Sequence, residues 1–373
     1  MVVAAVRGVV VFALLACTAA FNKIDASSSL VQWVGRVKPD GRSVFFDWEG
    51  VSATVTVANF SMITATIEDH CQGSPIGGGS RWAVTFTPSD PNAGPPNHRI
   101  STFLTGELIS EYYLFNDPSA GCDPNCHLRP GQAVFTLTRL TESRLTNCGP
   151  GGNLSVVAFT SDGVFVPSPA PPTRRLEFVG DSITAGDLND AYPAKVCGNA
   201  MWNNDIDLSS GAIICKQYGA DCMYTAWGGI TLAGMRPLYP YTFSADGTNA
   251  YEPWAFDSWR PDAVVINLGT NDRPTPPALQ WQSDYVDFVH SVAQRYGQQA
   301  PHFFLGYGPM TTEYQTMVTN VTSRLVAGGI NATLLDLTLP HPTRGCYGHP
   351  SSDDNAEIAA KAGPKIATQL GWQ

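Results

Sequence analysis

Charge is scarce in this sequence. Asp, Glu, Lys and Arg make up 14% of its 373 residues, against roughly 25% in typical soluble domains. The few charges are unbalanced, 22 basic against 32 acidic, for a net charge of -10. No cluster of Lys or Arg occurs, so the chain lacks the electrostatic footprint of a nucleic-acid or anionic-membrane binder. A neutral substrate suits this balance. Long apolar runs are missing as well. Gly8–Ala16 is too short to span a bilayer, and no other segment is long and apolar enough. No two Cys-x-x-Cys pairs are present, and Cys122 and Cys126 have no matching pair nearby. The ligand spacing of a zinc site is therefore absent, and neither metal nor cofactor is expected. No internal repeat is visible.

Glycine and proline are plentiful, 35 and 28 residues, which favours short strands and many turns. Arg7 is the only charge before Lys23, an apolar run follows it, and Thr18-Ala19-Ala20 supplies small residues before Phe21. Residues 1–20 thus read as a cleaved signal peptide. An alternative is open: Leu14-Leu15-Ala16-Cys17 resembles a bacterial lipobox, which would make Cys17 a lipid anchor at a bacterial surface. The other eight cysteines are Cys71, Cys122, Cys126, Cys148, Cys197, Cys215, Cys222 and Cys346. An even number behind a signal peptide implies disulfides and an oxidising compartment, but eight cysteines allow 105 pairings. Sequons at Asn59, Asn153, Asn320 and Asn331 favour a secreted eukaryotic glycoprotein over a lipoprotein.

The length suggests two domains. The break falls in the Pro-rich stretch Val166-Pro167-Ser168-Pro169-Ala170-Pro171-Pro172-Thr173, which is incompatible with helix and reads as a linker over 166–175. Before it, over 28–165, period-two segments such as Ser52–Val57, Met62–Ile67, Trp82–Phe86 and Ala133–Leu140 predict an all-β sandwich or jelly roll. After it, over 176–373, apolar strands at Leu176–Val179, Asp262–Leu268, His302–Gly306 and Ala332–Leu337 alternate with helical spacings. Those spacings are Trp281, Tyr285, Phe288, Val289, Val292, then Met317, Val321, Leu325. A last helix begins near Ser352. The alternation predicts an α/β fold with a doubly wound parallel sheet.

Ligands of such sheets bind beyond the carboxyl ends of the strands. Three motifs follow apolar runs there: Gly180-Asp181-Ser182-Ile183-Thr184, Gly269-Thr270-Asn271-Asp272 and Gly345-Cys346-Tyr347-Gly348-His349-Pro350. A Ser, an Asn and a His at one sheet edge suit acyl transfer. A serine hydroxyl needs a base to become nucleophilic, and histidine titrates in the right range. The Ser182 amide, the Asn271 carboxamide and a loop glycine amide would bind the oxyanion of the tetrahedral intermediate. As a turn from strand to helix, the Ser182 segment would also bring free amides and a helix dipole.

These blocks resemble the SGNH hydrolases. The resemblance implies Ser182 as nucleophile, Asn271 as oxyanion donor and His349 as base. Ala226-Trp227-Gly228-Gly229-Ile230-Thr231 is similar to the remaining block and implies Gly229 as a further oxyanion donor, with Gly228 as the alternative. The blocks span Gly180 to Ser351. Val34-Gly35-Arg36-Val37, Val44–Gly50, Phe256–Asp262 and Gly345-Cys346 are similar to carbohydrate esterase family 2, in which a jelly roll precedes an SGNH domain that removes O-acetyl groups from plant-type polysaccharides. One departure stands out. Many SGNH enzymes place an Asp three residues before the His, and here that position is Cys346, expected in a disulfide. A Ser–His dyad with a backbone carbonyl holding the imidazole is the reading favoured here; Asp353 or Asp354 is the substitute.

The expectation is a secreted, monomeric serine esterase that deacetylates carbohydrate. A lipid or short-chain ester hydrolase of the same fold is the alternative. A non-catalytic carbohydrate binder with a degenerate SGNH domain is the alternative of another class. Trp227 and Tyr347 adjoin site positions and are candidates to stack on a sugar ring. Trp254 and Trp259 read as structural.

Overall fold

The computed structural model describes residues 21–70, 79–89, 95–106, 108–116, 129–142, 154–191, 197, 200–243, 252–272 and 278–372. The expected signal peptide, Cys17, Asn153, Cys71, Cys122, Cys126 and Cys148 lie outside the described residues.

Among the described residues, 22–166 contribute strands and no helix: β1 (Asn22–Asp25), β2 (Gln32–Val34), β3 (Lys38–Asp40), β4 (Ser43–Phe45), β5 (Ser52–Phe60), β6 (Met62–Asp69), β7 (Arg81–Pro88), β8 (His98–Leu104), β9 (Ile109–Asn116), β10 (Arg129–Arg139), β11 (Leu154–Ser161) and β12 (Val164–Val166). They pair into two antiparallel sheets. One has the order β3-β4-β11-β6-β9 with β1 on β11; the other has β12-β5-β10-β7-β8 with β2 on β5. Period-two alternation turns one face of each sheet inward. Val55, Val57, Phe135 and Trp82 from one sheet and Ile63, Ile67, Val156 and Phe159 from the other share a single core. Phe86 stacks on Phe115 across the gap, with ring centroids 5.9 Å apart.

The extended, Pro-rich connection is shorter than the sequence suggests. It runs over 167–173, because β12 reaches Val166 and Arg174 already belongs to the next strand. That strand, β13 (Arg174–Gly180), is joined by β14 (Ala220–Ala226), β15 (Ala263–Asn267), β16 (His302–Tyr307) and β17 (Ala332–Asp336). All neighbours are parallel, in the order β14-β13-β15-β16-β17. The order reverses between β13 and β15, and the crevice of a doubly wound sheet opens at such a switch point.

Helices cover both faces of this sheet. The helices are α1 (Ser182–Ala185), α2 (Ala200–Asn203), α3 (Ser210–Tyr218), α4 (Leu232–Leu238), α5 (Ala278–Tyr296), α6 (Gln315–Ala327) and α7 (Ser352–Leu370). The predicted stripe Trp281, Tyr285, Phe288, Val289, Val292 of α5 and Met317, Val321, Leu325 of α6 pack with Val264, Ile266, Phe303 and Leu305 on one face. Ala212 and Ile214 of α3 and Ile358, Ala359 and Ile366 of α7 pack with Leu176, Val265 and Phe304 on the other. Trp254 and Trp259 are buried, as expected of structural residues.

Two polar clusters tie the antiparallel half to the parallel sheet. In the first, Arg36 and Glu177 form a fully buried ion pair of 2.9 Å. Arg36 also donates to the carbonyls of Tyr239 and Tyr241, while Glu177 accepts from Thr225, Tyr239 and Tyr296 hydroxyls at 3.1, 2.8 and 2.7 Å. In the second, the buried Arg139 guanidinium lies in the field of Asp47, Glu49, Asp69 and Glu142. Burial pushes the Glu49 carboxyl up to about 8, against the opposing pull of a backbone hydrogen bond and Arg139.

The sign of the pH effect follows. A carboxyl that is harder to ionise folded than unfolded contributes its full stability below its ordinary range, and loses it as pH rises towards about 8. The slope is about 1.4 kcal/mol per pH unit within that window. The melting temperature of the wild type should therefore fall between about pH 5 and pH 8, and Glu49→Gln should flatten the decline. A thermal melt series that is equally steep in the variant would contradict the assignment.

Candidate active site

Four loops at the carboxyl ends of β13, β14, β15 and β17 supply the expected residues. The β13 loop turns at once into α1. Asp181 caps it, its carboxylate accepting from the Ile183 amide at 3.0 Å. Ser182 is therefore the first helical residue rather than the cap, and it is 6% exposed. The α1 helix has only four residues. The dipole expected of a full helix is thus reduced to the local amides of one turn.

The last loop carries His349. Its backbone amide donates to the Cys346 carbonyl at 3.0 Å, and its Nδ1 meets the same oxygen at 3.1 Å. A carbonyl only accepts, so Nδ1 carries the proton and Nε2 is left as the acceptor; this tautomer follows from the hydrogen-bond network. Nε2 lies 2.9 Å from Ser182 Oγ. The Oγ–H···Nε2 geometry is that of a serine facing its base.

Several restraints hold this loop. Cys346 is disulfide-bonded to Cys197. Arg344 donates from its backbone and Nε to Asp354 at 2.6 Å, and from its guanidinium to Glu357 at 2.6 Å. Asp354 also completes a capping box with Ser351 at the start of α7. Asp354 is thereby committed to Arg344 and Ser351, and Asp353 is exposed. Neither is a hydrogen-bond partner of His349 among the described residues; the Cys346 carbonyl is. His341, Asp354 and Glu357 form a grouping with metal-ligand side chains, but Arg344 bonds both carboxylates, so the cation there is the chain's own. A second disulfide joins Cys215 to Cys222.

Asn271 meets the residue that precedes Ser182. Its Nδ2 is 3.2 Å from Asp181 Oδ2 and 3.1 Å from the Ile230 carbonyl. Both neighbours are acceptors, which fixes the amide nitrogen towards the Asp181–Ser182 loop. Asp181 is fully buried; burial, and secondarily the charge of Asp272, push its carboxyl up to about 7. Asp272 is raised too, chiefly by burial. If the Asn271 carboxamide binds an oxyanion, Asn271→Ala should lower kcat by about 10²–10³ with little change in KM. Steady-state kinetics on an acetyl ester check this, and an unchanged kcat would remove Asn271 from the role.

The β14 loop makes a turn closed by the Ile230 amide donating to the Trp227 carbonyl at 3.1 Å. Gly229 occupies it with φ +79°, a left-handed conformation natural to glycine. Gly228 is constrained differently: a Cβ there would lie 2.3 Å from Glu142 Oε2. Glu142 follows β10, so the antiparallel half reaches directly under this loop. Sequence reasoning missed Glu142 because nothing local marks it.

It also missed Asp187. This residue follows α1, its amide donating to the Ser182 carbonyl at 2.9 Å. Its Oδ2 lies 3.6 Å from His349 Nε2, with only 12% of the side chain exposed. Tyr347 is 74% exposed and adopts φ +51°, uncommon for a non-glycine residue and typical of constrained functional loops. Trp227 is half-buried against the core.

No family model matches the chain. Among curated proteins, the chain is 28% identical over 272 residues to an acetylxylan esterase / glucomannan deacetylase of Cellvibrio japonicus, covering 66% of this chain and 72% of that protein. It is 26% identical over 355 residues to the cellulase/esterase CelE of Acetivibrio thermocellus, covering 89% of this chain. The match spans only 37% of CelE. Two solved structures share the fold. A family two carbohydrate esterase from Cellvibrio japonicus has a TM-score of 0.78 at 21% identity, over 95% of this chain and 99% of that one. A family two carbohydrate esterase from Clostridium thermocellum, in complex with cellohexaose, has 0.74 at 23%, over 92% and 100%.

The chain is thus similar in sequence to an acetylxylan esterase / glucomannan deacetylase and to a cellulase/esterase, and it shares its fold with family two carbohydrate esterases. Its named relatives are carboxylic ester hydrolases. Family-two likeness covers both halves of the chain, since the matches begin before the Pro-rich connection and run past it.

Proposed function

We propose that this chain is a secreted serine esterase that removes O-acetyl groups from carbohydrate, with Ser182 as nucleophile and His349 as general base. The observation that carries the reading is the 2.9 Å approach of His349 Nε2 to Ser182 Oγ, with Nδ1 held by the Cys346 carbonyl. Ser182 attacks the acetyl carbonyl while His349 takes its proton. The Ser182 amide, the Gly229 amide and Asn271 Nδ2, which gives up one of its two present acceptors on substrate binding, are the donors for the oxyanion. His349 then protonates the departing sugar oxygen, and water hydrolyses the acetyl-serine by the same steps reversed in role.

Carbohydrate as substrate rests on the relatives, two of which carry deacetylase or esterase names, and on the cellohexaose complex of a fold neighbour. The exposed Tyr347 ring beside His349 suits a sugar face. We assign the antiparallel half as the jelly roll of the family. No helix among the described residues is long and apolar enough to cross a membrane. Secretion is supported by the N-terminal segment, the two disulfides and the exposed sequon residues Asn59, Asn320 and Asn331.

Acetate release from acetylated xylan, glucomannan and chitin oligomers tests the function. Release from at least one, lost in Ser182→Ala, is the expected result. Hydrolysis of long-chain lipid esters without acetate release would overturn the carbohydrate assignment. EDTA should leave the rate unchanged; inhibition reversed by zinc would contradict a mechanism built from side chains and amides alone.

A further inference from the structure

Asp187 sits where no step above uses it. Its Oδ2 is 3.6 Å from His349 Nε2, too far for a hydrogen bond, and Ser182 Oγ already meets that nitrogen at 2.9 Å. The carboxylate therefore does not hold the ring; the Cys346 carbonyl does that from the opposite edge, at Nδ1. Asp187 instead faces the edge from which the imidazolium returns its proton.

The location decides what the group can touch. To be protonated, the leaving oxygen of the ester must come within hydrogen-bond reach of Nε2. An oxygen so placed is a neighbour of Asp187 as well. In an acetylated sugar, the carbon next to the ester commonly bears a hydroxyl, and that hydroxyl stands about one hydrogen-bond length from the leaving oxygen. An ionised carboxylate is an acceptor only, suited to a hydroxyl donor and indifferent to a leaving group without one. The backbone bond from the Asp187 amide to the Ser182 carbonyl keeps this acceptor in register with the nucleophile.

We propose that Asp187 is a substrate-binding residue that accepts a hydrogen bond from the hydroxyl vicinal to the scissile ester, selecting esters of vicinal diols. This rests on the esterase reading of the site and deepens it. The bond forms in the Michaelis complex and is kept through the transition state, so kcat/KM responds.

A matched pair of substrates isolates the effect: the monoacetate of trans-1,2-cyclohexanediol and cyclohexyl acetate, which differ by one vicinal hydroxyl. The wild type should prefer the diol monoacetate in kcat/KM by about 10- to 100-fold, the range of a hydrogen bond to a charged group. Asp187→Ala should abolish the preference by slowing the diol ester alone, and the isosteric Asp187→Asn should retain part of it. Unchanged preference in both variants overturns the proposal. So does a proportional loss on both esters, because it would mean that the carboxylate serves the imidazole or the fold. Equal wild-type rates on the two esters would overturn it too, while leaving the esterase intact. A wild type inert towards both and towards p-nitrophenyl acetate would instead sink the esterase reading itself.

Discussion

Ser182→Ala should lower kcat on p-nitrophenyl acetate by about 10⁴-fold or more, with the fold intact. Removing Oγ removes the only atom that bonds to the substrate, while the oxyanion donors remain. His349→Ala should cost about as much, and the double variant hardly more, because nucleophile and base act as one unit. The melting temperature should hold or rise slightly, since a buried hydroxyl kept for reaction is seldom optimal for stability. Additive losses would mean that the 2.9 Å contact is not a working proton path.

Arg36→Ala carries the largest expected effect on stability, a loss of about 3–5 kcal/mol. Arg36 and Glu177 are both fully buried, and Glu177 lies in β13, an interior strand of the parallel sheet. Without the guanidinium, the Glu177 charge is left with hydroxyl donors only. The Arg36 ring partner Tyr239, 4.6 Å from the guanidinium carbon, loses its contact as well. Glu177→Gln in the Arg36→Ala background should restore part of the loss by removing the uncompensated charge. Urea denaturation measures both; no recovery in the double variant would mean that lost packing, not charge, sets the cost. Because Arg36 precedes β3 and Glu177 follows the Pro-rich connection, the same variant should also loosen the antiparallel half from the parallel sheet.

The period-two strands and the stripes on α5, α6 and α7 were legible because one face of each is apolar and the other is not. The apolar runs of β15, β16 and β17 were legible because both faces are covered. β14 and α3 were not. Ala220–Ala226 carries Asp221 and Thr225 among its apolar residues, and α3 is short and opens on Ser-Gly, so neither shows a clean period. The site divides in the same way. Ser182, Asn271 and His349 each directly follow or sit near a readable strand in a distinctive block, and the structure brings Ser182 and His349 to 2.9 Å. The shortness of α1 was hidden, since Ala185 looks like helix and only Gly186 stops it. Glu142 and Asp187 act at close range through the fold, across 86 residues to Gly228 and 162 to His349. No local spacing encodes such approaches.

Labelling with diethyl p-nitrophenyl phosphate tests the central claim most directly. Release of one equivalent of p-nitrophenolate per active chain should parallel the loss of esterase activity. Peptide mass spectrometry should then find the diethylphosphoryl group on Ser182, and His349→Ala should slow its attachment. The phosphoryl group on any other residue, or full inactivation with residue 182 unmodified, would contradict the account.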